Sequence, residues 1–525
     1  MVNDAVLSSS IRGTLNSIKR SSEAVDQTAL RLSTGKRVNS VLDNSQSFFN
    51  ALSLNNTASD FSRLFDGLTI ATRTIQEAIT GIEAIEEILD LAEVKAIEAR
   101  EALEKTGSNL PNTILDDSPV GYFRLNDVDT GTALNLGTLG AGGDGTITGD
   151  VRSGDEILFY GAGGLPARFG GNTGDFIAVP VDDSINTLGP YDEKTIELIF
   201  NANTVSGRQV LFEEGGPVNN LSIYIDDGLL RVTGRTTFGS DYGPLDVSTP
   251  IEAGVSYHVA LVQDANNNNF TGFLNGVEFQ SGGAFIGGPI GSHPNRNAIG
   301  AIDQDIYFHD DGPGNAPNRP DGTFAFNGEI SDVAFYNSII SQADLLARYE
   351  ATSLPLSEQF RQETVKFLEQ IETINEDTSF LGVNLLDGGN LNVDLNGDRS
   401  NRLNLEGDEF TLEALGLADI NFQKPSQVEA VFTAIDNARA QIRDFGFKLT
   451  NALNVINVRE DFTRDFVNTH KAGADDLTLA DVNEEAANQL SAQTRLDLST
   501  TALALATVSQ ATILDLFSNG TGQVI

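Results

Sequence analysis

At 525 residues and 40% apolar side chains, the chain is long enough for two to four domains with buried cores. A formal charge of −41 argues against nucleic acid or acidic membrane as partner, and the lack of cysteine excludes disulfides, thiolate metal sites and thiol nucleophiles. No window approaches 18 consecutive apolar residues, and the start MVNDAVLSSSIRGTLNS lacks a basic-then-apolar secretory design, so export is expected to use another route.

The first predicted element is a helix in which Ile11, Leu15, Ile18, Ser22, Val25, Ala29 and Leu32 recur at alternating spacings of four and three, stopped by Gly35. A second helical series follows through Ile75, Ile79, Ile82, Ile85, Leu89, Ala92, Ala96, Ala99 and Leu103. Composition then changes: all nine tyrosines fall between Tyr122 and Tyr349, and 13 of 15 prolines between Pro111 and Pro320. Residues 106–355 also hold 32 acidic against 10 basic side chains. Runs such as TIELIF, LSIYIDDGLLRV, SYHVALVQD and GEISDVAFY, separated by Gly, Asn and Asp turns, predict an antiparallel sandwich inserted into a helical protein.

Beyond the insert, a helix free of Gly and Pro is expected over Ser357–Leu381, then a hairpin-like unit over Val383–Leu417 with LLDGGN as its turn. Pro425 opens a long helix with a predicted capping box from Ser426 to Glu429 and a buried series from Val428 to Ile456. A last helix from about Asp481 to Phe517 is expected to pair with the first. Apolar stripes near both chain ends point to burial against other copies of the chain, where a plain intramolecular bundle is the simpler alternative. The residues assigned to self-assembly are Ile11, Leu15, Ile18, Val25, Leu32, Leu496, Leu503, Ile513, Leu514 and Phe517.

Chemistry-bearing residues in the insert are few. Asp303, Asp305, Asp310 and Asp311, with Asp321 nearby, are oxygen-rich enough for calcium, the one cofactor left open, or they form a solvated acidic loop. Glu329 and Asp332, three apart on a strand, should face opposite ways and so cannot act as a paired-carboxylate hydrolase. His258 reads as a core histidine, since no other histidine stands at ligand spacing. No enzyme is expected.

The segment RLSTGKRVNS at Arg31–Ser40, within SIRGTLNSIKRSSEAVDQTALRLSTGKRVNSVLDNSQSFFNALSLNN, resembles the amino-terminal core of bacterial flagellin. Phe432–Phe517 is similar to the flagellin carboxyl-terminal core. Within the insert, YHVALVQDANNNNFTGFLNGVEF and FNGEISDVAFYNSIISQADLLARYEA resemble the laminin-G-like, concanavalin-A-like jelly roll. These resemblances imply a multidomain protein of paired all-α coiled-coil termini plus an inserted all-β jelly roll. They divide it into an inner-tube helix at 1–40, rod halves at 41–110 and 353–472, the insert at 111–352, and a second inner-tube helix at 473–525. They further imply type III export with a chaperone, polymerisation under a filament cap, and an extracellular filament used for swimming. The alternatives are an adhesin displaying glycan sites on the insert, and a hook-filament junction protein.

Overall fold

The computed structural model describes residues 9–237, 242–282, 289–311, 318–397 and 399–518. The chain divides into two compact units, one formed by residues 1–80, 378–408 and 445–525, the other by 81–377 and 409–444. Seven α-helices occur among the described residues: α1 (Ser9–Thr34), α2 (Ser45–Glu104), α3 (Leu110–Asp116), α4 (Gln342–Glu350), α5 (Leu354–Asp377), α6 (Pro425–Thr478) and α7 (Val482–Ser518).

In the first unit, α1 ends where Gly35 takes a φ of +67°, a left-handed conformation that glycine adopts without a Cβ penalty. Asn44 caps α2, its Oδ1 accepting the N–H of Ser47 at 3.0 Å. Leu68, Ala71 and Ile75 of α2 and Phe445, Leu449, Ala452 and Ile456 of α6 are buried, and Phe61 stacks on Phe466 with ring centres 4.3 Å apart. A small hairpin completes this unit, Asn390–Asp394 pairing with Arg402–Glu406. LLDGGN does turn the chain, with Gly389 N–H donating to the Asn384 carbonyl at 2.8 Å, but it precedes the first strand. The connection between the two strands lies at 395–401, so the expected hairpin turn is displaced.

In the second unit, Ile82, Ile85, Leu89, Ala92, Ala96, Ala99 and Leu103 of α2 are buried together with Val428, Ile435, Ala438 and Ile442 of α6 and Leu368 and Ile371 of α5. The series read from the sequence is therefore the buried face. Arg439 reaches Asp90 at 2.6 Å and Glu93 at 2.5 Å, and Arg100 reaches Glu429 at 3.3 Å. The predicted capping box does not form, because Ser426 N and Oγ bond Glu156 at 2.7 and 2.5 Å while Glu429 is drawn to Arg100. Gln427 caps instead, its Oε1 accepting the Lys424 N–H at 3.0 Å.

The insert begins and ends at one point. Asn109 N–H, after α2, donates to the Ala351 carbonyl, after α4, at 3.3 Å. Its strands, in chain order, are β1 (Gly121–Phe123), β2 (Thr132–Ala133), β3 (Gly145–Thr148), β4 (Arg152–Ser153), β5 (Ala167–Gly170), β6 (Phe176–Val179), β7 (Glu193–Ala202), β8 (Arg208–Gly215), β9 (Asn220–Asp226), β10 (Leu229–Thr236), β11 (Tyr242–Pro250), β12 (Ser256–Asp264), β13 (Asn269–Leu274), β14 (Val277–Gly282), β15 (Asn297–Ile299) and β16 (Asn327–Tyr336). They form two antiparallel sheets, β14-β13-β12-β7-β16-β5-β4 with β1 also on β16, and β11-β10-β9-β8-β15-β6-β3-β2. Inward residues such as Leu198, Phe200, Phe212, Ile223, Val232, Leu261, Phe270 and Phe335 make a continuous core between the sheets. On the outer face of the first sheet, Ile199, Ala260 and Tyr336 pack with Leu110, Ile114 and Leu345 of the short helices α3 and α4. No helix among the described residues is long and apolar enough to cross a membrane.

Candidate functional site

RLSTGKRVNS is a docking turn. Arg37 and Val38 donate their N–H groups to the Thr478 carbonyl at 2.7 and 3.2 Å, and Ala480 N–H returns to Gly35 O at 3.0 Å. This ties the link after α1 to the link between α6 and α7, with Val38 buried beneath. The Asp43 carboxylate accepts the N–H groups of Ser40 and Asn39 at 2.8 and 2.9 Å, which holds its pKa below the ordinary value. Asp481 caps α7 through the N–H groups of Asn483 and Glu484, and Glu485 reaches Arg31 of α1 at 2.9 Å.

α1 and α7 thus lie side by side, with an inner apolar seam and, on α7, an outer apolar stripe. The inner one includes Ile11, Ile18, Val25 and Leu32 with Ala492, Leu496 and Leu503, all buried or half-buried. Of the residues assigned to self-assembly, Ile11 is buried and Ile18, Val25, Leu32, Leu496 and Leu503 are half-buried on two helices that pack together within one chain. Leu15 and Ile513 are 50% and 54% exposed. Leu514 and Phe517 fall outside the described side chains. A second stripe lies outside the set assigned to self-assembly, with Leu490 at 71%, Leu498 at 65%, Leu505 at 67% and Val508 at 63% exposure, and Leu30 on α1 half exposed. Its residues fall between the positions of the inner seam, and a strict four-three count passes over them.

In the insert, polar side chains are mostly engaged internally. Glu197, wholly buried on β7, receives bonds from His258 at 2.9 Å, Tyr336 at 2.6 Å and Arg348 of α4, which also pairs with Asp117. Burial acts to raise the Glu197 pKa, but the His258 hydrogen bond and the Arg348 charge prevail and leave it lowered. His258 is a core histidine, 2% exposed.

Asp332 and Glu329 do not face opposite ways. A bulge between Ser331 and Ala334, with Asp332 at φ +53°, puts Asp332 on the outer face, where it accepts the Tyr122 hydroxyl at 2.7 Å. Glu329 is taken by Lys424 at 2.8 Å. The two carboxylates thus serve separate ion pairs and hydrogen bonds, and neither is left as a free acid or base.

The proposed calcium carboxylates are not gathered around one point. Asp303 meets Arg296 at 3.0 Å, Asp305 accepts the Arg319 N–H at 2.6 Å, Asp310 meets Arg208 at 3.0 Å and Asp311 meets Arg319 at 2.6 Å. Asp321 lies 3.7 Å from Arg296. Arginine guanidinium groups thus face Asp303, Asp310, Asp311 and Asp321, and among the described residues no group of three His, Cys, Asp or Glu could hold a metal. Beside Asp303, the fully buried Glu213 accepts the Asp303 N–H at 3.1 Å, and burial pushes its pKa well up.

No curated protein matches the chain. Among solved structures, the receptor-binding domain of botulinum neurotoxin C/D mosaic serotype aligns at 11% identity over 45% of this chain and 52% of that one, with a TM-score of 0.32. The botulinum neurotoxin serotype G binding domain aligns at 9% identity over 44% and 50%, with a TM-score of 0.33. The chain thus spans about half the length of these structures. The family described as the bacterial flagellin N-terminal helical region matches residues 3–108, which include all of α1 and α2 and the docking turn between them. It is residues 3–108, about a fifth of the chain, that are similar to the bacterial flagellin N-terminal helical region.

Proposed function

We propose that the protein is a non-enzymatic filament subunit of the flagellin kind, exported, polymerised outside the cell for motility, and bearing the β-sandwich as an outward module. The observation that carries this reading is the exposed apolar stripe of α7, the helix paired with α1, where α1 lies in the part of the chain similar to the flagellin N-terminal region. Burying one large aliphatic side chain contributes roughly 1.5–3 kcal/mol, while association costs on the order of 4–15 kcal/mol. Leu490, Leu498, Leu505, Val508 and Ile513, each 54–71% exposed, together contribute roughly 5–10 kcal/mol, which falls inside the range of that cost, and any one alone does not reach it. Such an arithmetic favours a lattice in which many side chains are covered at once. Calcium plays no part in this reading, and an export chaperone and a filament cap are its expected partners.

The experiment is electron microscopy of purified protein after seeding with sheared filament fragments. Long filaments are expected from the intact chain, and none from a chain lacking its first fifty and last forty residues. Growth of the trimmed chain, or a permanently solitary intact chain, would overturn the proposal. A junction protein would cap seeds without elongating them.

A further inference from the structure

A cleft of about 960 Å³ opens within the second unit, between the β11–β12 turn of the insert, α5, and the loop leading into α6. That volume lies at the upper end of the range for small-molecule sites, about 300–1,000 Å³. Its floor includes Ala430 and Ala434, small residues that keep one face of α6 open.

The groups around it are oriented in a particular way. Glu358 grips Arg361 through Nε and Nη2, both at 2.7 Å, so the guanidinium is fixed while Nη1 has no hydrogen-bond partner among the described residues. Tyr349, on α4, presents a hydroxyl whose pKa is pushed up to about 12 by burial and the Glu358 charge, so it remains a donor at neutral pH. The half-buried Tyr257 ring is braced by Phe200 at 5.7 Å, and its hydroxyl accepts the Glu252 N–H at 3.1 Å. Glu252 and Asp419, both exposed, line the same opening as acceptors.

We infer that this cleft is a binding site for a neutral oligosaccharide. A braced aromatic face suits the C–H side of a sugar ring, and a fixed guanidinium with a tyrosyl donor and carboxylate acceptors suits vicinal hydroxyls. Three acidic groups, Glu252, Glu358 and Asp419, against the single Arg361 disfavour sialylated, sulfated or phosphorylated ligands. The site deepens the adhesive alternative and does not depend on polymerisation.

The test uses the intact, unpolymerised chain on an array of neutral hexose and N-acetylhexosamine oligosaccharides printed beside sialylated and sulfated ones. Binding confined to neutral glycans is expected, with at least a tenfold weaker dissociation constant in Arg361→Ala and in Tyr257→Ala and little change in Tyr257→Phe, which keeps the ring. Thermal melting of each variant separates lost binding from lost folding, and Glu358→Gln, which loosens the guanidinium without removing it, gives an intermediate loss. No neutral glycan bound, preference for the sialylated or sulfated glycans, or affinity unchanged in folded Arg361→Ala would overturn the assignment. Because the readout is taken on monomer, its failure leaves the filament reading untouched.

Discussion

Arg348 is 1% exposed and neutralises a carboxylate that is wholly buried. Removing one partner of such a pair leaves an uncompensated charge, so Arg348→Ala should destabilise the insert by about 3–5 kcal/mol in chemical denaturation. Glu213 behaves oppositely, because among the described residues no cation is paired with it and burial holds its proton on. Above its ordinary value of 4.5 the unfolded carboxyl ionises while the folded one stays protonated, so the folded state binds more protons. Stability therefore falls as pH rises from 4.5 toward the raised folded value. Glu213→Gln, which keeps the acceptor for Asp303 N–H, should melt higher than the parent at pH 8 and near it at pH 4, with a residual slope from Asp303, whose pKa is also raised by burial. At this scale the sequence was only half legible. A core role for His258 could be read from its lack of ligand partners, whereas the direction of Asp332 could not. A bulge adds one residue to one strand and reverses the alternation on which such a reading depends.

For whole elements, periodicity was the more faithful guide. The Ile82–Leu103 and Val428–Ile456 series are buried as their spacing indicates, since a helical face is set by local geometry. Capping was less legible: Ser426 and Glu429 have the right spacing, yet each finds a stronger partner, Glu156 or Arg100, far away in sequence. Likewise, spacing marks Leu496 and Leu503 as apolar positions without saying whether the neighbour is α1 or another molecule. Exposure separates the two roles. Leu498→Asp combined with Leu505→Asp should leave monomer melting within about 0.5 kcal/mol of the parent, as befits exposed positions, and abolish seeded elongation. Leu496→Asp, on the inner seam, should loosen the α1–α7 pair and be seen as faster amide hydrogen exchange in both helices. Equal effects of the two changes on melting would contradict the division into inner and outer stripes.

For the molecule as a whole, a charge of −41 means that in the proposed filament every copy added would repel those already there. Screening shortens that repulsion from a range of about 10 Å at 0.1 M salt to about 3 Å at 1 M. The critical concentration for elongation, measured by sedimentation, should therefore fall across that interval; a rising value would place the dominant contacts in salt-sensitive ion pairs, and an unchanged one would mean that net repulsion does not limit growth. The presence of a separate β-rich insert was legible from where tyrosine and proline fall; that its two ends touch was not, because a hydrogen bond between residues 109 and 351 has no local signature. That pinch, Asn109 to Ala351, makes the sandwich a cassette. Any fold whose own termini meet within a peptide's width could be spliced there, so the helical scaffold can exchange its payload while the pairing of its long helices stays as it is.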